Sequence, residues 1–355
     1  MPLFMINAEA ENTESGAGDI TEVHAVESNL PADVLDITGE LKTDGSFSGT
    51  EALRRLWNRI ISYTADSLRN EMSFALKILS ITVFCALASA LCTRKNIPDY
   101  INTAGCCTAA YMISGCADGI IRQAADAIFR LSDYSRAALP AIFTAAAACG
   151  AVTSASVKYA SACLAVELFM SAAKDLIIPL IYSYTAVSLS SAVFDNSVLN
   201  AAAGFCRSTA VMLMSGICLA FSAYIGLSGL IAGSTDALAV KTARTVISNS
   251  LPVVGSIISD SASVVLASAA LIKNSAGIFS LIAVCALCAG PFALLSVKML
   301  LYKAVSAAAD MLPGGRMSAL LDSMGKAMAM LMGLIGSCGI MLFISIMSGI
   351  RVVTV

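Results

Sequence analysis

Cys285-Ala-Leu-Cys288 has the spacing of a thiol–disulfide exchange pair, the most chemically suggestive motif in this sequence. A working pair needs a thiol held as thiolate by a neighbouring cation or a helix N-terminus. No His, Arg or Lys closely flanks these two cysteines. The plainer reading is that of small apolar residues packing between helices. The other ten of the 12 cysteines also lie in or beside apolar runs, and none falls in the polar N-terminal region where an extracytoplasmic disulfide would be useful. The single histidine, His24, sits in a polar tail and receives no role. There is no HExxH motif, nucleophile elbow or P-loop. The sequence therefore assigns no catalytic residue, metal ligand or cofactor site, and the chain reads as a non-enzyme.

What remains is charge in apolar surroundings. Glu167 lies inside an apolar run, with Lys174 and Asp175 two turns on; Lys77, Asp195 and Lys298 also fall within such runs. Each costs about 3 kcal/mol at mid-bilayer on insertion scales, so each needs a partner, water or a route to the interface. Lys77 and Lys298 lie near run ends and are expected to snorkel. Glu167, Lys174 and Asp175 are read either as part of an ion or proton pathway or as members of ordinary interhelical pairs.

The elements that hold these residues follow from composition. The chain has 355 residues, 57% hydrophobic and 13% charged, with mean hydropathy +0.80. A soluble domain carries roughly 25% charged residues, so water cannot be the only solvent. The apolar runs are long and continuous, without the alternation of a barrel strand, which leaves helices. The expected fold is all-α, a polytopic transmembrane helical bundle. Runs near 20 residues place spans at about 72–92, 101–120, 137–157, 159–194 (broken near Pro179), 208–232, 277–301 and 324–349. Gly115/Gly119 and Gly229/Gly233 have the spacing that allows close helix approach, which admits a homo-oligomer. A net charge of −2 gives no basic footprint for nucleic acid.

Three parts are expected along the chain. Residues 1–50 carry ten acidic residues against Lys42 and read as a disordered acidic tail. It opens with a short apolar run and Ala8-Glu9-Ala10, the pattern of the end of a signal peptide, with the charged region and true start expected upstream. Residues 51–71 follow a capping-box spacing at Ser48-Gly49-Thr50-Glu51. They form a basic amphipathic juxtamembrane helix with Leu53, Leu56, Trp57, Ile60 and Thr64 on one face. Residues 72–355 form the membrane domain. Within it, Arg122, Asp126, Arg130, Asp133 and Arg136 predict an interfacial helix. Arg94-Lys95 favours a cytoplasmic loop after the first span, although the basic residues at 54–69 and 122–136 pull the other way.

Residues 236–274 differ from their surroundings. Lys241, Arg244, Thr245 and Ser248 share one helix face, and Val240, Ala243, Ile247 and Leu251 another. Pro252 breaks this arm and Gly255 permits a reversal. The second arm sets Ser256, Ser259, Asp260 and Ser263 against Ile258, Ala262, Val265, Ala269 and Ile272, and Lys273-Asn274 ends it. Two amphipathic arms predict a helical hairpin that either re-enters the membrane or lies across a cavity. Asp260 is placed to pair with Lys241 or Arg244.

The block Lys241-Thr-Ala-Arg244, Asn249-Ser-Leu-Pro252-Val-Val-Gly255, Ser259-Asp260-Ser-Ala262 and Leu271-Ile-Lys273-Asn274, with Gly277 beyond, resembles the signature of the stage III sporulation protein AE family. The resemblance extends more loosely from about 137 to the C-terminus. It implies an integral, permease-like component of a channel complex in the mother-cell membrane around the forespore. The implied partners are the other membrane proteins of the same sporulation operon and a forespore-side channel protein, with a separate ATPase. Two rival functions stay open from the residues alone: an autonomous small-solute permease, and a membrane scaffold without its own conduit.

Overall fold

The structure, a computed structural model, describes residues 49–92, 97–148, 152–250, 255–312 and 315–350, and between 224 and 276 it describes backbone only. The tail, the Ala8-Glu9-Ala10 pattern, Arg94-Lys95 and Pro252 lie outside the described residues. Every element is helical: α1 Gly49–Leu91, α2 Ile97–Ala148, α3 Val152–Ala172, a π-helical turn Ala173–Ile177, α4 Ile178–Phe194, α5 Ser197–Ser250, α6 Gly255–Asp310 and α7 Arg316–Ile350. Among the described residues, five single helices contain stretches long and apolar enough to cross a membrane: Leu53–Leu91, Ile97–Thr144, Ser197–Ala223, Gly277–Asp310 and Arg316–Ile350. The all-α polytopic bundle read from the sequence is the fold observed.

Contacts along the helices fix their directions. Ser89 meets Asn102, and Cys85 lies against Gly105, so α1 and α2 run antiparallel. Four contacts zip α2 to the α3–π–α4 column in order: Phe143 with Tyr159, Arg136 with Glu167, Phe129 with Lys174 and Asp118 with Tyr182. That column therefore runs back along α2 from Phe143 to Asp118. The chain reverses at Asp195, whose φ of 50° is the one positive value at a described non-glycine residue. Asn196 then caps α5, its side-chain oxygen accepting the Val198 amide at 2.9 Å. The α6 and α7 helices form an antiparallel pair from Ser306/Ser318 through Cys288/Gly339 to Gly277/Ile350. Finally, α1 runs parallel to α6 in constant register: Tyr63 beside Gly290, and Glu71 on Lys298.

At the centre stands α7, apolar around most of its circumference and buried along most of its length. Half of the most apolar stretch of α7, and half of that of α6, is buried inside the protein, against 17% for α5. The high hydropathy of α6 and α7 thus serves the protein core as much as the bilayer. Hydroxyls in this interior satisfy themselves locally: Thr82 donates to the Ile78 carbonyl and Ser345 to that of Met341, both at 2.8 Å.

Three expectations change. Residues 122–136 are not a separate interfacial helix but the middle of α2, a single helix of 52 residues and so about 78 Å long. The span expected at 137–157 is divided, because α2 ends at Ala148 and α3 starts at Val152. The face proposed for residues 51–71 splits: Leu56 is buried and Ile60 and Thr64 are partly buried, while Leu53 and Trp57 are exposed. The break near Pro179 is present as the π turn, in which the Ile178 amide donates to the Ala173 carbonyl five residues back. Proline cannot donate an amide to the carbonyl one turn below it, and the wider turn rephases the helix around that gap.

Candidate functional site

Charged and polar groups gather at three places on this scaffold. The deepest is Lys298 on α6, whose amine lies 2.6 Å from the Glu71 carboxylate on α1, with side chains only 10% and 22% exposed. Snorkelling was the expectation for Lys298; the pair corrects it. At this level α1 covers α6, so the amine is enclosed before its four-carbon stem can reach an interface. Phe74, Ile78, Tyr302, Val305 and Leu321 line the small cavity around the pair. With apolar walls, each charge depends on the other for compensation.

The second place is the outer seam between α2 and the α3–π–α4 column. Arg136 reaches Glu167 at 2.9 Å and Asp133 at 3.9 Å. Asp118 holds Arg122 at 2.9 Å and accepts the Tyr182 hydroxyl at 2.9 Å. Lys174 sits 5.0 Å from the centre of the Phe129 ring, a cation–π contact. Asp175, one residue on, accepts the Ser171 hydroxyl at 3.0 Å. Of the three intramembrane charges singled out in the sequence, Glu167 is therefore an interhelical ion-pair partner, and Lys174 and Asp175 both lie in the π turn. None is buried: Glu167 is 54% exposed and Arg136 62%. Removing the Glu167 charge should cost little, because an exposed ion pair is screened by solvent and contributes weakly. Glu167→Gln is expected to leave the thermal midpoint of the purified protein at its parental value. A clear drop in the midpoint would instead make the pair a structural clamp between α2 and α3.

The third place is the end where α1 finishes and α7 starts. Arg316 donates to the Thr103 hydroxyl at 2.9 Å and pairs with Asp195 at 3.3 Å, tying α7 to α2 and to the reversal before α5. Close by, Asp322 receives both Lys303 at 2.7 Å and Lys326 at 2.6 Å. Arg316 and Asp322 form polar clamps that hydropathy does not show.

The thiols pack rather than cluster with bases. The Cys288 sulfur sits against Gly339, and a Cβ built on that glycine would lie 3.0 Å from it. Among the described residues no group of three or more His, Cys, Asp or Glu side chains could hold a metal ion. Deep between α2 and α6, the buried Tyr134 and Ser280 hydroxyls face each other.

The hairpin enters only by its backbone. Residues 236–250 continue α5 and residues 255–274 belong to α6, so both arms are helical and Gly255 opens the second. The side chains of Lys241, Arg244, Asn249, Asp260, Lys273 and Asn274 lie outside the described residues, as does Pro252 altogether.

Comparison with known proteins bears on the whole of this architecture. Residues 39–352 match the family model described as Stage III sporulation protein AE. A curated relative, "Stage III sporulation protein AE" of Bacillus subtilis (strain 168), is 22% identical over 306 residues, covering 85% of this chain and 76% of the relative. No solved structure matches the chain.

Proposed function

Since the chain belongs to the stage III sporulation protein AE family, we propose that it is an integral, non-catalytic membrane subunit of a channel or secretion-like complex linking mother cell and forespore. In this reading it resides in the mother-cell membrane around the forespore and is needed for late forespore development. Its partners are other membrane proteins of the same sporulation operon and a forespore-side channel protein. The observation that carries the reading is the coincidence of a family match over residues 39–352 with a bundle containing five helices able to cross a membrane. Such a bundle can supply a path or a wall, whereas the described residues bring together no constellation for covalent or metal-assisted chemistry.

Within that function the hairpin at 236–274 is the segment we assign to lining the conduit or docking partner subunits. Its arms are amphipathic in sequence and helical in structure. Asp260 is proposed to pair with Lys241 or Arg244. Reversing either charge alone, by Lys241→Asp or Asp260→Lys, is then expected to reduce spore yield, and the double exchange to restore it. Failure of the exchange to restore would remove the pairing.

The reading as a whole is tested by deleting the gene in its own host and counting heat-resistant spores. The expected result is arrest after engulfment, with late forespore gene expression lost and restored by the intact chain. Normal spores from the deletion strain would overturn the proposed function. Uptake or efflux of a solute by the purified protein alone in liposomes would favour an autonomous permease.

A further inference from the structure

The outer surface of the bundle changes character from helix to helix. Where the end of α1 runs beside the start of α2, near Cys85/Gly105 and Ser89/Asn102, the outward side chains of α1 are aliphatic and aromatic: Val83, Phe84, Leu87 and Leu91, the last 84% exposed. The α5 helix does the same with Phe205, Met212 and Leu219, each exposed by 66% or more. These are surfaces for lipid.

The outward face of α2 is of another kind. From Thr108 it runs through Ser114, Gly115, Asp118, Gly119 and Arg122 to Asp126, Arg130, Asp133 and Arg136, all exposed. Tyr111 and Phe129 are its large apolar members; the first carries a hydroxyl and the second holds the Lys174 amine over its ring. No exposed Leu, Ile, Val or Met occurs on α2 between Thr108 and Arg136. The strip is about 42 Å long at 1.5 Å per residue, longer than the roughly 30 Å hydrocarbon layer. Whichever stretch of α2 crosses the membrane, part of the strip lies at membrane depth. A polar strip there is stable against water or protein but not against acyl chains.

We propose that the Thr108–Arg136 face of α2 is the water-facing wall of a membrane conduit. The inference rests on the channel reading above and gives that channel a surface. Water is favoured over a packed partner helix by the charge the strip carries, Arg122 being 73% exposed and Asp133 76% even while they pair along the helix with Asp118 and Arg136. Nothing lies within 4 Å of a Cβ placed on Gly115 or Gly119, so the wall is open at its narrowest residues. Asp118, Asp126 and Asp133 alternate along the helix with Arg122, Arg130 and Arg136. The wall carries no net sign and suits small hydrated solutes of either charge rather than one ion.

The test is cysteine accessibility in intact sporulating cells. Native Cys107 borders the strip and is exposed, so a membrane-impermeant maleimide followed by peptide mass mapping needs no mutation to begin. Single cysteines at Thr108, Gly115, Gly119 and Gln123 then extend the strip, with Leu87, Phe205 and Met212 as controls, in a cysteine-free chain first shown to sporulate. The expected result is modification along the strip at least tenfold faster than at the controls. Equal protection of strip and controls would overturn the proposal. So would protection of the strip together with oxidative cross-linking between two copies through residue 115 or 119, because that result makes the face a subunit contact. If the cysteine-free chain fails to sporulate, Cys107 of the intact protein decides: its modification supports a wet face and its protection overturns it. Normal spores from the deletion strain would sink the sporulation role while leaving the strip labelling to stand or fall separately.

Discussion

Lys298→Met is expected to destabilise the protein by about 3–5 kcal/mol, the cost of leaving one member of a buried ion pair without its counter-charge. The Glu71 carboxylate would keep its cavity of Phe74, Ile78, Val305 and Leu321 but lose the amine 2.6 Å away. Glu71→Leu alone should do comparable harm by orphaning Lys298, whose side chain is only 10% exposed. Combining the two substitutions removes both charges and fills similar volume with apolar atoms. Such replacements are often neutral or stabilising, so the double variant should recover most of the loss. Denaturant titration of detergent-solubilised protein, followed through the single tryptophan, Trp57 of α1, measures this directly. Additive losses in the double variant would show that the two residues do not act as a pair.

The second large effect is steric. A Cβ added at Gly105 of α2 would meet the Cys85 sulfur of α1 at 2.5 Å and its Cβ at 3.4 Å. Gly105 is buried, and the cysteine sulfur is one bond from its backbone-anchored Cβ, so relief requires the helices to part or the cysteine to change rotamer. Gly105→Ala is therefore expected to cost about 1–3 kcal/mol by overpacking. Cys85→Ala deletes the clashing atom, and Gly105→Ala in that background should be close to neutral. The same unfolding titration reads both. Equal costs of Gly105→Ala in the two backgrounds would mean that α1 and α2 do not approach at this point.

These two sites illustrate what a sequence can and cannot display. Long apolar runs announced a helical membrane protein, and Pro179 announced the interruption that appears as the π turn, because both signals are local. Glu167 was visible as an anomaly for the same reason; its partner Arg136 was read instead as decoration of an interfacial helix. Lys298 was misread since its environment is supplied by α1. Nothing within a few residues of Lys298 shows that another helix will cover it. Hydropathy also could not separate α6 and α7, apolar because they are central, from α1, apolar because it faces outward. The divided span at 137–157 failed in the same way: an alanine-rich run is compatible with one helix or with two meeting at a break. The α2 strip was half-visible, its charges assigned to an interface, since the position of the outer face depends on what packs behind the helix.

The register of α1 against α6 has a consequence for how the protein is made. Glu71 and Lys298 are about 230 residues apart, so at 5–20 residues per second the acid leaves the ribosome roughly 10–50 s before its counter-charge exists. During that interval α1 must wait at the membrane with Glu71 solvated by water or headgroups. It can seat fully only when α6 arrives. Although made early, α1 is thus among the last helices to lock, and a ribosome stalled before residue 298 would hold a half-built bundle with α1 still loose.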